Sequence, residues 1–283
     1  MRMQPYPQRI VIELTSDCNL SCAMCPRKYI KQKYGYMPKT LWKKLIDEIS
    51  ADSPKSIILP FWRGESLLHP DFAELTEYAL DRLPHIHIST NGVLAVNEYA
   101  RILLKCEFVT FSIHDAPGYK RAKELLALRQ GKNPVVQISF IRNEKTTGEI
   151  CSLLINSADL GGFDSIRIYD EHSKDGIFGK SSHSVDHPRN FCQKLEDTLV
   201  VAYDGSVSRC NHIWETESRL NANESSIKEI WNSRRFDEIR REYPDPACSS
   251  CDQWIGRTYG ESYQYANGKI QHNVYTAGGI LAN

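Results

Sequence analysis

Between residues 9 and 170 six short β-branched runs alternate with longer amphipathic segments, and this alternation leaves few architectures open. The runs are Arg9 to Leu14, Ser56 to Trp62, His85 to Ser89, Phe108 to Ile113, Val135 to Ile141 and Ser165 to Asp170. Between them lie PKTLWKKLIDEIS and PDFAELTEYALDRL, whose Pro38 and Pro70 suit a first helical turn, then NEYARILLKC, KRAKELLALRQ and TTGEICSLLINSADL. Strand followed by helix, repeated, builds a parallel sheet with helices outside it. Because the pattern stops near residue 170, the expectation is a partial (β/α)6 TIM-type barrel rather than a closed eightfold one.

Residues 171–190 are polar, with Gly, Ser and Pro, and read as a linker after a barrel core over 1–170. A small hairpin and helix unit follows over 191–254. TLVVAYDGSVSRC predicts two strands turning at Asp204 and Gly205, and SSIKEIWNSRRFDEIRREY predicts one amphipathic helix with Ile227, Ile230, Trp231 and Ile239 on one side. The tail, 255–283, is rich in Tyr, Gly and Asn without clear period; an ordered cap and a frayed end both fit it.

Lys plus Arg and Asp plus Glu each number 35, so no basic excess favours nucleic acid or an anionic membrane surface as partner. No apolar run approaches the roughly 18 to 20 residues of a membrane span, and MRMQPYPQRIVIEL has no signal-like apolar stretch. The expectation is a cytoplasmic protein, in which nine cysteines point to metal ligands or reactive thiols rather than disulfides.

Three of them, Cys18, Cys22 and Cys25, follow the first strand in a C-x3-C-x2-C loop. A closed zinc site takes four ligands, and the loop offers no fourth. Three thiolates on an iron-sulfur cluster leave one iron open, at the strand end where barrel enzymes do their chemistry.

At these residues the chain resembles the radical S-adenosylmethionine (SAM) superfamily, a resemblance covering residues 9–170. It implies a [4Fe-4S] cluster that binds SAM and generates a 5′-deoxyadenosyl radical able to take a hydrogen atom from a substrate. Met24 stands where the family commonly has an aromatic residue, and an apolar side chain there still suits a neighbour of adenine. Arg63-Gly64-Glu65-Ser66 is similar to the family's Gly-Gly-Glu-Pro segment, with Arg63 for the first glycine and Ser66 for the proline. The resemblance further implies SAM contacts from Asn91, in Ser89-Thr90-Asn91-Gly92, from Ser112 and from Arg121.

Cys192, Cys210, Cys248 and Cys251 can converge as a second, closed site. Their spacing serves a [4Fe-4S] cluster or a structural zinc equally well. The layout, with one Cys before a hairpin, one at its end, then an Ile-Trp helix and a terminal C-x2-C, resembles the twitch domain, the shortened SPASM domain. That implies one auxiliary [4Fe-4S] cluster, two in all. In length and order the chain is similar to the SAM-dependent 2-deoxy-scyllo-inosamine dehydrogenases, whose auxiliary cluster is thought to accept an electron.

Cys106 precedes the fourth strand and suits packing. Cys151, in the first turn of the helix after the fifth strand, is a candidate hydrogen donor. Arg167 and His212, with Trp62, His114 and Tyr169, are candidates for substrate contact or proton transfer. Arg27, Lys28, Lys31 and Lys33 suit either a solvated face or a flavodoxin- or ferredoxin-type reductant.

The resulting expectation is oxidation of a carbohydrate-like small molecule, a sugar or cyclitol. Epimerisation with a thiol donor and peptide modification are the alternatives. The early first strand argues against a peptide-recognition domain ahead of the barrel.

Overall fold

The computed structural model describes residues 4–28, 33–142, 145–170, 192–244, 248, 251, 260–276 and 279–282. The 171–190 linker and Lys31 lie outside them. The six runs form β1 (Arg9–Ile12), β2 (Ile57–Leu59), β3 (His87–Thr90), β4 (Phe108–Ser112), β5 (Val135–Ile141) and β6 (Ser165–Tyr169). β1 pairs parallel with β2, a single parallel bridge between Ile58 and Ile86 carries the array on, and β3 to β6 pair parallel in order. This is the expected partial barrel.

The helices α1 (Lys39–Asp52), α2 (Phe72–Leu80), α3 (Asn97–Leu103), α4 (Ala116–Leu128) and α5 (Lys145–Ile155) alternate with the strands. On α1, Leu41, Trp42, Leu45, Ile46 and Ile49 face inward at helical spacing, and the Trp42 indole N–H is satisfied by the Leu75 carbonyl at 2.8 Å. Ile10, Ile12, Ile58, Ile88, Val109, Phe111, Val136 and Ile138 form the matching strand layer, all essentially inaccessible to solvent.

Several boundaries differ from expectation. The second run keeps only three strand residues, because Pro60 brings no N–H to the ladder. The fifth helix starts at Lys145, which moves Cys151 to its second turn. The single helix expected over 225–243 is two, α7 (Ile227–Trp231) and α8 (Arg234–Arg241). Ser233 breaks it, since its hydroxyl accepts the Phe236 N–H and opens a new helix.

Beyond the six units, α6 (Gln193–Asp197) leads into β7 (Thr198–Val201), β8 (Ser206–Ser208) and β9 (Glu217–Asn221). The hairpin turns at Gly205, whose φ of +87° suits glycine. β7 pairs parallel with β1. From the tail, β10 (Gly260–Ala266), β11 (Lys269–Thr276) and β12 (Gly279–Ala282) form an antiparallel set on β6. Both edges of the open barrel are therefore covered, β1 by the segment bearing the second cysteine group and β6 by the tail, which is an ordered wall. Among the described residues no helix is long and apolar enough to cross a membrane.

Glu261 clamps this wall, accepting from Arg142 Nη2 at 2.7 Å, Tyr263 Oη at 2.8 Å and His272 Nε2 at 2.8 Å. Burial works against its charge, but Tyr263, Arg142 and His272 together hold the carboxyl below its ordinary 4.5. A depressed folded value means the contribution is complete above about 4.5 and lost as pH falls through the folded value. Wild type should therefore outlast Glu261→Gln on heating near neutrality and converge with it in acid. Thermal midpoints taken across pH check this, and a gap unchanged in acid would exclude the clamp.

Candidate active site

The loop after β1 is tied down before the first cysteine. Thr15 Oγ1 donates to the Gly35 carbonyl at 2.8 Å, and Asp17 Oδ1 accepts the Cys18 N–H at 2.8 Å. Arg27 reaches back to Asp17 at 3.3 Å and to the Cys18 carbonyl at 3.4 Å, and the Cys25 N–H closes a turn on Cys22. Burial pushes the Cys18 thiol up, an effect that iron reverses because a coordinating thiol is deprotonated.

The three cysteines open on a cavity of about 340 Å³ at the carboxyl ends of the strands. Met24, Gly64, Glu65, Asn91 and Ser112 line it with them, as do Trp62, His114 and Tyr169. Gly64 is needed for close approach: a Cβ there would meet the Thr15 and Asp17 carbonyl oxygens at 2.3 Å. The Glu65 N–H donates to that Asp17 carbonyl at 2.7 Å, so this segment seats the cysteine loop through backbone contacts. Gly64→Ala should cost about 1–3 kcal/mol, at the upper end because backbone opposes it. A urea midpoint shift with reduced iron occupancy checks this, and a neutral alanine would refute it.

The Glu65 carboxylate, buried to 3% exposure, accepts from Thr90 Oγ1 at 2.8 Å, the Asn91 N–H at 2.8 Å and the Leu67 N–H at 3.2 Å. Burial outweighs these donors and pushes its carboxyl up. The Asn91 amide donates to Asn19 Oδ1 at 2.8 Å and lies 4.0 Å from the Cys18 sulfur. Ser112 and Ser139 hydroxyls meet at 3.2 Å on adjacent strands.

Other expected residues lie elsewhere. Arg121 is not among the lining residues and pairs with Glu124 one turn along α4 at 2.6 Å. Cys151 packs in the hydrophobic core, where burial pushes its thiol up to about 11. Arg167 is stacked between the Tyr169 and Tyr275 rings, 4.7 and 4.0 Å from their centroids, and donates to the Glu261 carbonyl. His212 is buried beside Cys210, its backbone N–H donating to the Cys210 sulfur at 3.4 Å. Cys106 is buried, as its position suggested.

Sequence reasoning missed Glu13. This fully buried carboxylate takes the Arg63 guanidinium in a fork, Nε to Oε1 at 2.8 Å and Nη2 to Oε2 at 2.5 Å. A charge inside the apolar run IVIEL was the available signal. Trp214, also on the cavity wall, carried none.

At the second group, Cys192 precedes α6, Cys210 follows β8, and the Cys251 N–H turns onto the Cys248 carbonyl. Burial first, then the Cys192, Cys251 and Cys210 thiols, push the Cys248 thiol up to about 12. Among the described residues no three His, Cys, Asp or Glu side chains close around a single ion.

Fold and thiols together point to an iron-sulfur enzyme with two cysteine groups, the first opening on the cavity. Residues 12–149 match the radical SAM superfamily and residues 192–252 match SPASM, an iron-sulfur cluster-binding domain. The chain carries a radical SAM domain and a SPASM iron-sulfur cluster-binding domain, with [4Fe-4S] clusters and SAM as cofactors.

A tungsten-containing aldehyde ferredoxin oxidoreductase cofactor-modifying protein of Pyrococcus furiosus is 24% identical, over 86% of each chain. Among solved structures, BtrN in complex with AdoMet and 2-DOIA aligns over 95% of this chain and 100% of its own, at 18% identity and TM-score 0.59. Streptococcus suis SuiB bound to precursor peptide SuiA aligns over 89% of this chain and 73% of its own, at 13% identity and TM-score 0.63.

Proposed function

We propose that this protein dehydrogenates an alcohol carbon of a small polyhydroxylated substrate, a sugar or cyclitol. The observation carrying this reading is that the cavity walled by the first cysteine group extends to Trp62, which holds the loop after Cys210, and to Trp214 in that loop. Cys18, Cys22 and Cys25 form one wall, while Trp62 and Trp214 form another, and the Trp62 indole N–H rests on the Asn211 carbonyl, next to Cys210, at 2.8 Å. When bound, SAM and the first cluster supply the radical that removes a carbon-bound hydrogen, and the second cluster offers an acceptor for one electron.

The substrate carbon thus loses a hydrogen atom and then an electron, while its hydroxyl loses a proton, leaving a carbonyl. His114, on the cavity wall, takes that proton in this reading. Ser89, Ser112, Ser139 and Asn91 offer hydroxyl and amide partners for a polyol, and the two indoles offer flat apolar faces. Among the described residues, the thiols lining the cavity are the three of the first group, which favours dehydrogenation over thiol-quenched epimerisation. Cys18, Cys22 and Cys25 would hold the first cluster, Cys192, Cys210, Cys248 and Cys251 the second. A flavodoxin- or ferredoxin-type protein would supply the reducing electron.

Anaerobic reconstitution, then SAM with a panel of aminocyclitols and sugars, tests the proposal. Equal amounts of 5′-deoxyadenosine and a carbonyl product are expected. An epimer carrying solvent deuterium, or turnover only with a peptide, would overturn it.

A further inference from the structure

The loop following Cys210 is gripped at two points by consecutive barrel residues. Trp62 Nε1 donates to the Asn211 carbonyl at 2.8 Å, and Arg63 Nη1 donates to the Trp214 carbonyl at 3.3 Å. These contacts span 149 and 151 residues of chain. The Arg63 guanidinium lies 4.1 Å from the Trp62 ring centroid, so each side chain holds the other's orientation. Arg63 Nε and Nη2 donate to Glu13, whose Oε2 also accepts the Tyr203 N–H, at 3.3 Å, from the β7–β8 hairpin. The Arg63 side chain is 8% exposed and Glu13 is fully buried, so little water competes for these bonds.

We infer that Trp62 and Arg63 form a latch that fixes the auxiliary-cluster loop against the substrate cavity, acting as positioning residues for electron transfer between the two. This rests on the oxidative reading above. A lysine at position 63 could neutralise Glu13 but could not present a planar fork to Glu13 and a further donor to Trp214. The family's glycine at this position has no side chain to reach across at all. The latch is therefore a property of this chain's own departure from the Gly-Gly-Glu-Pro pattern.

The test uses the full chain in a Cys18→Ala, Cys22→Ala, Cys25→Ala background that loads only the auxiliary cluster, with iron release to a chelator followed anaerobically. Trp62→Phe, which keeps a ring but removes the indole N–H, should release iron about three- to tenfold faster, as loss of one hydrogen bond gives. Arg63→Lys should show a smaller acceleration. Both variants within roughly twofold of the parent, below what one such bond contributes, would overturn the latch. With all cysteines restored, Trp62→Phe should raise the ratio of 5′-deoxyadenosine to oxidised product, and an unchanged ratio would overturn the coupling role. Faster iron release in a chain that forms no carbonyl product would leave the latch standing and remove only the oxidative reading.

Discussion

Cys22→Ala is expected to cut reconstituted iron from about eight atoms per chain to about four and to abolish 5′-deoxyadenosine formation. The cavity geometry explains why the loss should be complete. Cys18, Cys22 and Cys25 share one loop and one cavity wall, and the described residues place no fourth cysteine there to substitute. The remaining four thiols are seated by different elements, α6, the end of β8 and the Cys248 turn, so the second cluster should survive with its own charge-transfer absorption. Iron and sulfide analysis beside the visible spectrum measures both. Retention of about eight irons, or SAM cleavage persisting in the variant, would remove Cys22 from the ligand set.

Arg63→Ala should destabilise the fold by about 3–5 kcal/mol, because it strands a buried carboxylate. Glu13 has no solvent exposure, and without the fork it retains only two backbone donors, Arg63 N–H at 3.1 Å and Tyr203 N–H at 3.3 Å. Replacing both partners by apolar residues of similar volume, as in Glu13→Leu with Arg63→Met, should recover most of the loss, since the desolvated charge goes with its partner. Urea unfolding of the two variants measures the recovery. A double variant no better than the single one would show that the Arg63 contacts to Trp62 and the Trp214 carbonyl, rather than the stranded Glu13 charge, carry the stability.

How far the sequence disclosed this arrangement depended on whether a residue's role was local. The βα alternation is local, and it yielded the barrel, because β-branched runs and helix-period segments each report their own environment. The C-x3-C-x2-C loop is local too. Edge pairing is not: nothing in TLVVAYD marks it as the parallel neighbour of Arg9–Ile12, and GESYQYA carries no sign that it lies on β6. The Ser233 break was missed because Ile227, Ile230 and Trp231 hold one helical face up to it, while the cap acts through a single hydroxyl. Arg121 has a local partner within its own helix, Glu124, three residues on. Glu13 and Arg63 lie 50 residues apart, and only the fold brings them together.

The antiparallel tail strands bear on how the chain can be shortened. A fragment ending just after Cys251 would keep all seven cysteines of the two groups, yet it would strip β10 from β6 and leave a row of unsatisfied amides along a five-residue Ile-rich strand. Bare strand margins of that kind template association with other chains. The smallest portion that holds iron is therefore not the smallest portion that stays monodisperse.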